Sequence, residues 1–257
     1  MATQERVIYR FAGGNDGAAP YASMIADARG DLFGTTTLGG GGANCPSGCG
    51  TVFELLPQRD GSWTETVIHG FAGGNDGATP QSPMIFDSAG NLYGSTSAGG
   101  NGNCGNIGQM GCGTVFELSP PGTSGQQWTE SVLYSFQGVP SGKGNGDAAW
   151  PNGLAFGGNG NLYGLAYDGG RCRTDESGTY CFGAAFRLEQ TSGGTWNERV
   201  LYRFDGTTGS PAGPVLDHSG NIYGTAPGGA YGFGAVFVLQ SPVHGRSSWI
   251  ESSIYDF

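Results

Sequence analysis

Four short segments rich in β-branched and aromatic residues follow one another in a fixed order along this chain. In the clearest copy they cover residues 82–86, 91–95, 113–118 and 128–136. Each is bounded by Gly, Pro, Asn or Asp, a composition typical of short β-strands separated by turns. None shows the spacing of apolar residues that an amphipathic helix requires. The pattern therefore predicts a unit of four antiparallel strands, called here strands A to D in chain order.

The unit recurs, and its clearest marker lies in strand B. The marker reads Leu32-Phe33-Gly34, Leu92-Tyr93-Gly94, Leu162-Tyr163-Gly164 and Ile222-Tyr223-Gly224. The repeats are assigned to residues 12–71, 72–136, 137–204 and 205–257. Four-stranded antiparallel units repeated around an axis build a β-propeller. We therefore expect an all-β, single-domain propeller of four blades, with five blades or a ring made by several chains as alternatives.

Both ends of the sequence offer a strand of the same type. Residues 5–11 repeat the strand D pattern, although the last repeat already has its own strand D near residues 249–257. We expect residues 5–11 to serve as an extra closing strand. Three arrangements stay open: one terminal strand displaces the other, one pairs between molecules, or the sequence belongs to a longer array. Because an unpaired edge strand promotes association, self-association through a terminal strand is expected.

The connection between strands A and B has a recurring turn sequence. An Asp begins it and a Gly follows three residues later, at Asp27 and Gly30, Asp87 and Gly90, and Asp217 and Gly220. The carboxylate can accept backbone N–H groups, and the glycine supplies the positive φ that closes a hairpin. The third repeat has Gly157 in place of the Asp. The turn therefore supports the hairpin assignment in three repeats and marks the third as different.

The charge of the chain makes two classes of partner unfavourable. It has 11 basic and 21 acidic residues, a formal net charge of −10, and no cluster of basic residues. Nucleic acid and anionic membrane surfaces are therefore not expected partners. No apolar run approaches the roughly 18 residues of a membrane-spanning helix. Residues 1–6 lack the hydrophobic core of a signal peptide, and we expect that such a signal was removed from this sequence.

The six cysteines form three local pairs. They are Cys45 with Cys49, Cys104 with Cys112, and Cys172 with Cys181, each between strands B and C, and we expect all three pairs at the same position of the repeat. A structural zinc site would need four ligands, and no His or further Cys lies near any pair. Local disulfides are the better interpretation, and they predict an oxidising location, extracellular or periplasmic. Such bridges would stiffen the loops at one rim of the propeller.

Several of the recurring motifs together resemble a known repeat. They read Gly-Thr-Val-Phe-Glu-Leu, Val-Leu-Tyr-Ser-Phe and Gly-Gly-Asn-Asp-Gly. This combination resembles the GloVer-type tandem repeat of secreted bacterial proteins over nearly the whole chain. The resemblance implies a secreted, propeller-like architecture. It implies no particular catalytic residues.

The third repeat departs most from the others. Its long connection before strand A contains Asp147 and the out-of-pattern Trp150, and strand B is followed by Tyr167 and Asp168. The next loop adds four charged residues, Arg171, Arg173, Asp175 and Glu176. We interpret these loops as one asymmetric ligand site, with the aromatic rings stacking on a sugar and the arginines binding hydroxyls or a uronate carboxylate. Neutral drift in exposed loops is the alternative.

Two sets of acidic residues recur in every or nearly every repeat. The first, Asp16, Asp76 and Asp147, precedes strand A and could bind Ca²⁺ through carboxylate oxygens, although Asn-Asp-Gly is also ordinary turn chemistry. The second is the Glu of the Trp-x-Glu motif. It lies at Glu65, Glu130, Glu198 and Glu251. A catalytic residue is rarely repeated in every blade, so we expect this Glu at an outer salt bridge or a solvated edge.

These features favour a secreted binding module that recognises a glycan or cell-surface polysaccharide on the loop face. The sequence has no Gly-x-Ser-x-Gly or His-Glu-x-x-His motif. A polysaccharide hydrolase or lyase is the alternative, and Asp147 and Asp168 would then be its acid/base pair. A passive structural array is the third hypothesis. Beyond the Ca²⁺ option, no cofactor is predicted.

Overall fold

A computed structural model describes residues 5–42, 44–104, 111–123, 127–139, 144–176, 178–242 and 248–257. Blade 1 consists of β1 Ile25–Ala26, β2 Leu32–Thr36, β3 Thr51–Pro57 and β4 Trp63–Gly70. Blade 2 consists of β5 Ala78–Pro80, β6 Ile85–Phe86, β7 Leu92–Ala98, β8 Thr114–Ser119 and β9 Thr129–Ser135. Blade 3 consists of β10 Gly144–Phe156, β11 Leu162–Asp175, β12 Gly178–Cys181, β13 Ala184–Gln190 and β14 Trp196–Arg203. Blade 4 consists of β15 Ala212–Leu216, β16 Ile222–Ala226, β17 Ala235–Gln240 and β18 Ile250–Asp256.

The four sheets confirm the predicted β-propeller architecture. Each is an antiparallel sheet in which strands A to D of the repeat lie side by side in chain order. Two sheets have a fifth strand, because β5 and β6 both pair with β7, and because β12 pairs with β11. Two short 3₁₀ turns, Gly14–Asp16 and Gly74–Asp76, precede blades 1 and 2. Over the described ranges, no helix is long and apolar enough to cross a bilayer.

The turn between strands A and B forms as its sequence predicts. In blade 2, Asp87 Oδ1 accepts the backbone N–H groups of Ala89 at 2.8 Å and Asn91 at 2.9 Å. Gly90 has a φ of +87°, which closes the turn. The aspartates of blades 1 and 4 make the same pair of bonds. These bonds fix the inner hairpin of each of the three blades.

Successive blades are joined by a pair of phenylalanines. The ring just after strand D of one blade packs edge-on against the strand C ring of the next. The pairs are Phe71 with Phe116 at 5.2 Å, Phe136 with Phe186 at 4.9 Å and Phe204 with Phe237 at 5.2 Å between centroids. All six rings have 0% exposure. Edge-to-face pairs of this kind stabilise beyond the area that they bury, so the same contact holds all three interfaces.

The glycine of the strand B marker makes room for that contact. An added Cβ at Gly94 would collide with the ring of Phe116, and the same holds for Gly164 and the ring of Phe186. The equivalent glycines of blades 1 and 4 face their own strand C rings in the same way. The marker therefore recurs because each blade needs a gap in strand B for its strand C phenylalanine.

Residues 5–11 lie against blade 1 without forming a strand. Phe11 packs edge-on against Phe53 at 4.9 Å, as the strand D phenylalanines do elsewhere. The described core residues form three clusters, and these lie between blades 1 and 2, 2 and 3, and 3 and 4. Phe257, which follows strand D of blade 4, is 59% exposed. The described blades therefore form a series with three packed interfaces.

The loops before strand A and after strand B meet at one rim. Gly40 N donates to Gly14 O at 2.8 Å in blade 1, and Gly100 N donates to Gly74 O at 2.7 Å in blade 2. The three predicted disulfides form, and they lie in the loops of this rim. The first two also touch the following blade, since Thr79 N donates to Cys49 O at 2.7 Å. The rim is therefore held by disulfides within the blades and by backbone hydrogen bonds between neighbouring blades.

Candidate functional site

Blade 3 extends beyond the rim as a long twisted hairpin. Strand β10 begins at Gly144 and pairs with β11 through two irregularities, and β12 returns alongside the end of β11. The disulfide between Cys172 and Cys181 joins directly opposed residues of β11 and β12. The third-repeat insertion is thus an ordered sheet extension that carries most of the predicted site residues.

The third cysteine pair does not occupy the repeat position of the other two. Phe182 precedes Gly183 as Cys49 precedes Gly50, and its ring lies against Gly206, where the earlier blades place a disulfide against Gly73 or Gly138. The expectation that all three pairs share one repeat position is therefore wrong for blade 3. In blade 3 the disulfide lies in the extension, and the ring of Phe182 takes the place that a disulfide has in blades 1 and 2.

Trp150 and Tyr167 come together as predicted for an aromatic platform. Their rings stack with an interplanar angle of 23° and a centroid distance of 6.3 Å. Tyr167 is 46% exposed, so one side of the pair faces solvent. Trp150 has a φ of +54°, in the left-handed region, as do Ala19 and Thr79 at the equivalent pre-proline position of blades 1 and 2. The position of Trp150 is thus part of the common repeat, whereas its ring is peculiar to blade 3.

The two candidate acid/base residues have different surroundings. Asp147 Oδ2 accepts hydrogen bonds from the hydroxyl of Tyr134, in the preceding repeat, at 3.0 Å and from Gln137 N, at the start of its own repeat, at 2.9 Å. Asp168 accepts one from Gly169 N at 2.6 Å, and burial raises the pKa of its carboxyl. Asp147 is therefore held at the interface of blades 2 and 3. The surroundings of Asp168 favour its protonated form.

The two arginines of the extension point towards blade 4. Arg173 lies over the Phe182 ring at 5.5 Å, a cation–π contact. The pKa of Asp205 is lowered by hydrogen bonds from Thr207, and further by the charges of Arg171 and Arg173. Both arginines are exposed, as are Asp175 and Glu176. The loop that connects blades 3 and 4 therefore meets the positive side of the extension.

A cleft of about 270 Å³ opens beside this loop, at the rim between blades 3 and 4. Five hydroxyl side chains line it: Tyr202, Thr207, Thr208, Ser252 and Ser253. Three carboxylates and the backbone of a glycine-rich loop complete the lining: Asp205, Glu251, Asp256, Gly229 and Ala230. This combination is called here the blade 3–4 cleft. It presents hydrogen-bond donors and acceptors in close array, with apolar surface between them.

Hydrogen bonds hold the lining of the cleft in place. Thr208 donates from its hydroxyl to Glu251 Oε1 at 2.6 Å, and Asp205 Oδ1 accepts from Thr207 Oγ1 at 2.7 Å. Asp256 Oδ1 accepts from Ala230 N at 3.0 Å. Sequence reasoning missed this cleft. The one available signal was the fourth repeat's loss of the Asn-Asp-Gly motif, which puts Thr208 where blades 1 and 2 carry an Asp.

The repeated glutamates lie beside the repeated aspartates in the first three blades. Burial raises the pKa of Glu65 and Glu130 to about 7 and that of Glu198 to about 8, and the nearby Asp16, Asp76 and Asp147 raise them further. One oxygen of each glutamate is buried and meets no donor. The expected solvated edge is therefore wrong for these three residues. Each instead forms a half-buried pair that holds a proton near neutral pH.

The same arrangement gives the candidate calcium ligands a structural role. Asp16 accepts from the Tyr9 hydroxyl at 2.6 Å and from Ala12 N, and Asp76 accepts from Ala72 N and lies 3.3 Å from His69 Nε2. Among the described residues, no group of three or more His, Cys, Asp or Glu side chains has the arrangement of a metal site. Binding of Ca²⁺ by Asp16, Asp76 or Asp147 stays an untested prediction.

Comparison with protein families assigns the chain. The model of the Gloeobacter/Verrucomicrobia repeat matches residues 1–171, which is well over half of the sequence. The chain belongs to this repeat family, as the recurring motifs predicted. No curated protein sequence matches it.

Solved structures support the fold. The chain is 16% identical to a gluconolactonase of Xanthomonas campestris, with a TM-score of 0.50 over 90% of this chain and 60% of that one. It is 10% identical to the PQQ-bound aldose sugar dehydrogenase of Streptomyces coelicolor, with a TM-score of 0.52 over 96% and 70%. A putative gluconolactonase is 19% identical, with a TM-score of 0.45 over 79% and 56%. The chain thus spans less than two thirds of either gluconolactonase.

Proposed function

We propose that the chain is a secreted carbohydrate-binding propeller whose blade 3–4 cleft holds neutral sugar units of a glycan or cell-surface polysaccharide. The observation that carries the proposal is the cleft itself, with its five hydroxyl and three carboxylate side chains. Sugar hydroxyls both donate and accept hydrogen bonds, and such a lining can satisfy both. The three disulfides, as in other secreted domains, agree with an oxidising location.

Pre-organisation strengthens the case. The carboxylates of Asp205, Glu251 and Asp256 are already held by protein donors, so a ligand would not need to order them. Ordering costs subtract directly from affinity, and a rigid rim lowers them. The excess of carboxylates in the lining also disfavours a uronate, whose negative charge would face Glu251 and Asp256. Neutral sugars therefore suit the cleft better than acidic ones.

The extension of blade 3 supplies a second contact surface. Tyr167 exposes one side of the aromatic stack, and Arg171 and Arg173 flank the loop of Asp205. A glycan longer than one sugar could then use the cleft for hydrogen bonds and the tyrosine for ring stacking. The gluconolactonase and the aldose sugar dehydrogenase that share the fold are sugar-acting proteins by name, which agrees with this ligand class.

The test is a panel of neutral and uronate-containing oligosaccharides, screened by array and quantified by calorimetry. Tyr167→Ala and Thr208→Val are expected to weaken binding of the selected neutral glycan by about tenfold each, or about 1.4 kcal/mol. Tyr180→Ala is the matched control, because Tyr180 lies on the same extension with 47% exposure against 46% for Tyr167. Uronate binding that exceeds neutral binding would overturn the ligand class. Silence across the panel would favour the passive array.

A polysaccharide hydrolase or lyase is the second candidate, and one observation favours it. Burial raises the pKa of Asp168, as expected of a general acid. Asp147, its proposed partner, is engaged by three hydrogen bonds at the neighbouring interface. Cleavage products that disappear with Asp168→Asn would establish this activity, whereas retention of binding without products supports the module.

A further inference from the structure

Blade 4 has an apolar face without a neighbour among the described residues. Its exposed members are Val215, Ile254, Tyr255 and Phe257, which are 62%, 53%, 58% and 59% exposed. Tyr223 and Val236 lie on the same face and are half-buried. We call these six residues the open face of blade 4. Such a contiguous apolar surface commonly marks an interaction site.

The equivalent faces of the other blades show what covers such a surface. Phe71, Phe136 and Phe204 take the repeat position of Phe257 and are all 0% exposed. Val52, Val115 and Ala185 take that of Val236 and are also 0% exposed. In each case the covering element is the next blade of the same repeat. The chemistry of the open face therefore fits one more blade of this family.

Within the chain, the matching surface belongs to blade 1, and residues 5–11 cover it. Phe11 fills the position over Phe53 that a strand D phenylalanine takes at the other interfaces. The segment has no strand pairing of its own, and side-chain bonds such as that of Tyr9 to Asp16 attach it. In contrast, β18 is paired with β17 along most of its length. The segment is therefore the weaker of the two candidates for the blade 1 surface.

We infer that the open face of blade 4 docks onto blade 1 of a second copy of this chain and displaces residues 5–11 of that copy. Phe257 then packs on the partner copy's Phe53 position, and Tyr255 takes the place of Tyr9 beside Asp16. The new contact repeats the three interfaces that already exist within the chain. Both surfaces of this contact have the same residue positions as the surfaces that already pack together within the chain.

The contact is heterologous, so it must either close into a ring or propagate. Two copies would supply eight blades, which is within the range that propellers adopt. A dimer with twice the 26.4 kDa mass of the chain is therefore the expected closed form. This inference goes beyond sugar binding and is tested separately from it, because the six residues of the open face do not line the blade 3–4 cleft.

Sedimentation velocity and light scattering over a wide concentration range test the inference. The full chain is expected to dimerise reversibly, and Phe257→Ser is expected to weaken the dimer by about tenfold or more, as for a central aromatic contact. Tyr180→Ser, which removes an exposed tyrosine from blade 3, should leave the dimer unchanged. Phe11→Ala loosens the covering segment and should tighten association.

The outcomes separate this arrangement from its rivals. A chain that stays monomeric at every concentration overturns the inference, whether the face stays bare or β18 closes onto blade 1 of its own chain. A dimer that survives Phe257→Ser uses another surface. A dimer that weakens with Phe257→Ser but ignores Phe11→Ala would indicate two open faces in symmetric contact, and that result would also overturn the inference.

Discussion

Replacing Glu198 by Gln should flatten the dependence of stability on pH. In the folded chain burial raises the pKa of Glu198 to about 8, and the charge of Asp147 adds to the effect. In the unfolded chain this carboxyl has its ordinary pKa of about 4.3. Between these two values the folded chain keeps a proton that the unfolded chain has lost. Stability from this residue is therefore full below about pH 4 and is lost as the pH rises towards 8.

The magnitude follows from the same shift. One pKa unit corresponds to about 1.4 kcal/mol, so the full shift would change the free energy of unfolding by about 5 kcal/mol. The side chain retains partial solvent contact, and we therefore expect on the order of 2–3 kcal/mol. The glutamine amide is always neutral and can donate to Asp147 as the protonated acid does. The variant should keep at pH 8 the contribution that the parent chain loses.

Urea unfolding of both proteins between about pH 5 and pH 8 measures the difference. Glu176→Gln is the matched control, because it removes the same charge from an exposed position of blade 3. The parent and the control should lose stability in parallel, while Glu198→Gln loses clearly less. An equal slope for all three proteins would refute the idea that Glu198 holds a proton at the interface of blades 2 and 3.

Three further changes test the fold. Gly94→Ala should lower the free energy of unfolding by about 1–3 kcal/mol, because the new methyl group meets the strand C phenylalanine of its own blade, whereas Gly193→Ala, where the nearest atom is the Thr191 hydroxyl oxygen at 3.8 Å, should not. Joint replacement of Cys104 and Cys112 by Ser should cost about 2–3 kcal/mol in urea unfolding, and a cost near zero would contradict a structural disulfide. Asp87→Ala should cost about 1–2 kcal/mol in the same assay, because two backbone N–H groups lose their acceptor.

Most of the fold could be predicted from local sequence patterns. The Asp and Gly of the A–B turn and the alternation in strands C and D act within a few residues, so the sequence determines them directly. The glycine of the strand B marker was visible as a repeat, but its reason was not. It becomes clear only when Phe116 is placed against Gly94 by the pairing of β7 with β8.

Contacts between blades were harder to foresee. Residues 5–11 match strand D in sequence, yet a strand needs a partner, and the described part of the chain gives this segment no strand C beside it. Glu198 has the pattern of an exposed outer position, but burial and the neighbouring Asp147 of β10 change its surroundings. The blade 3–4 cleft brings Tyr202 of the third repeat beside Thr208 and Glu251 of the fourth, and the last two are 43 residues apart. No single motif spans such a pair.

The phenylalanine contact between blades has a consequence for how such a sequence can change. Each of the three blade interfaces uses a phenylalanine that follows strand D, a phenylalanine of the next strand C, and the strand B glycine that makes room for it. A duplicated or deleted unit would therefore meet compatible neighbours at once, as in repeat proteins whose units contact only their neighbours. A change in the number of repeats would therefore leave the contacts between blades intact. Substitutions confined to the loops of one rim can change which ligand is bound without changing the blade interfaces.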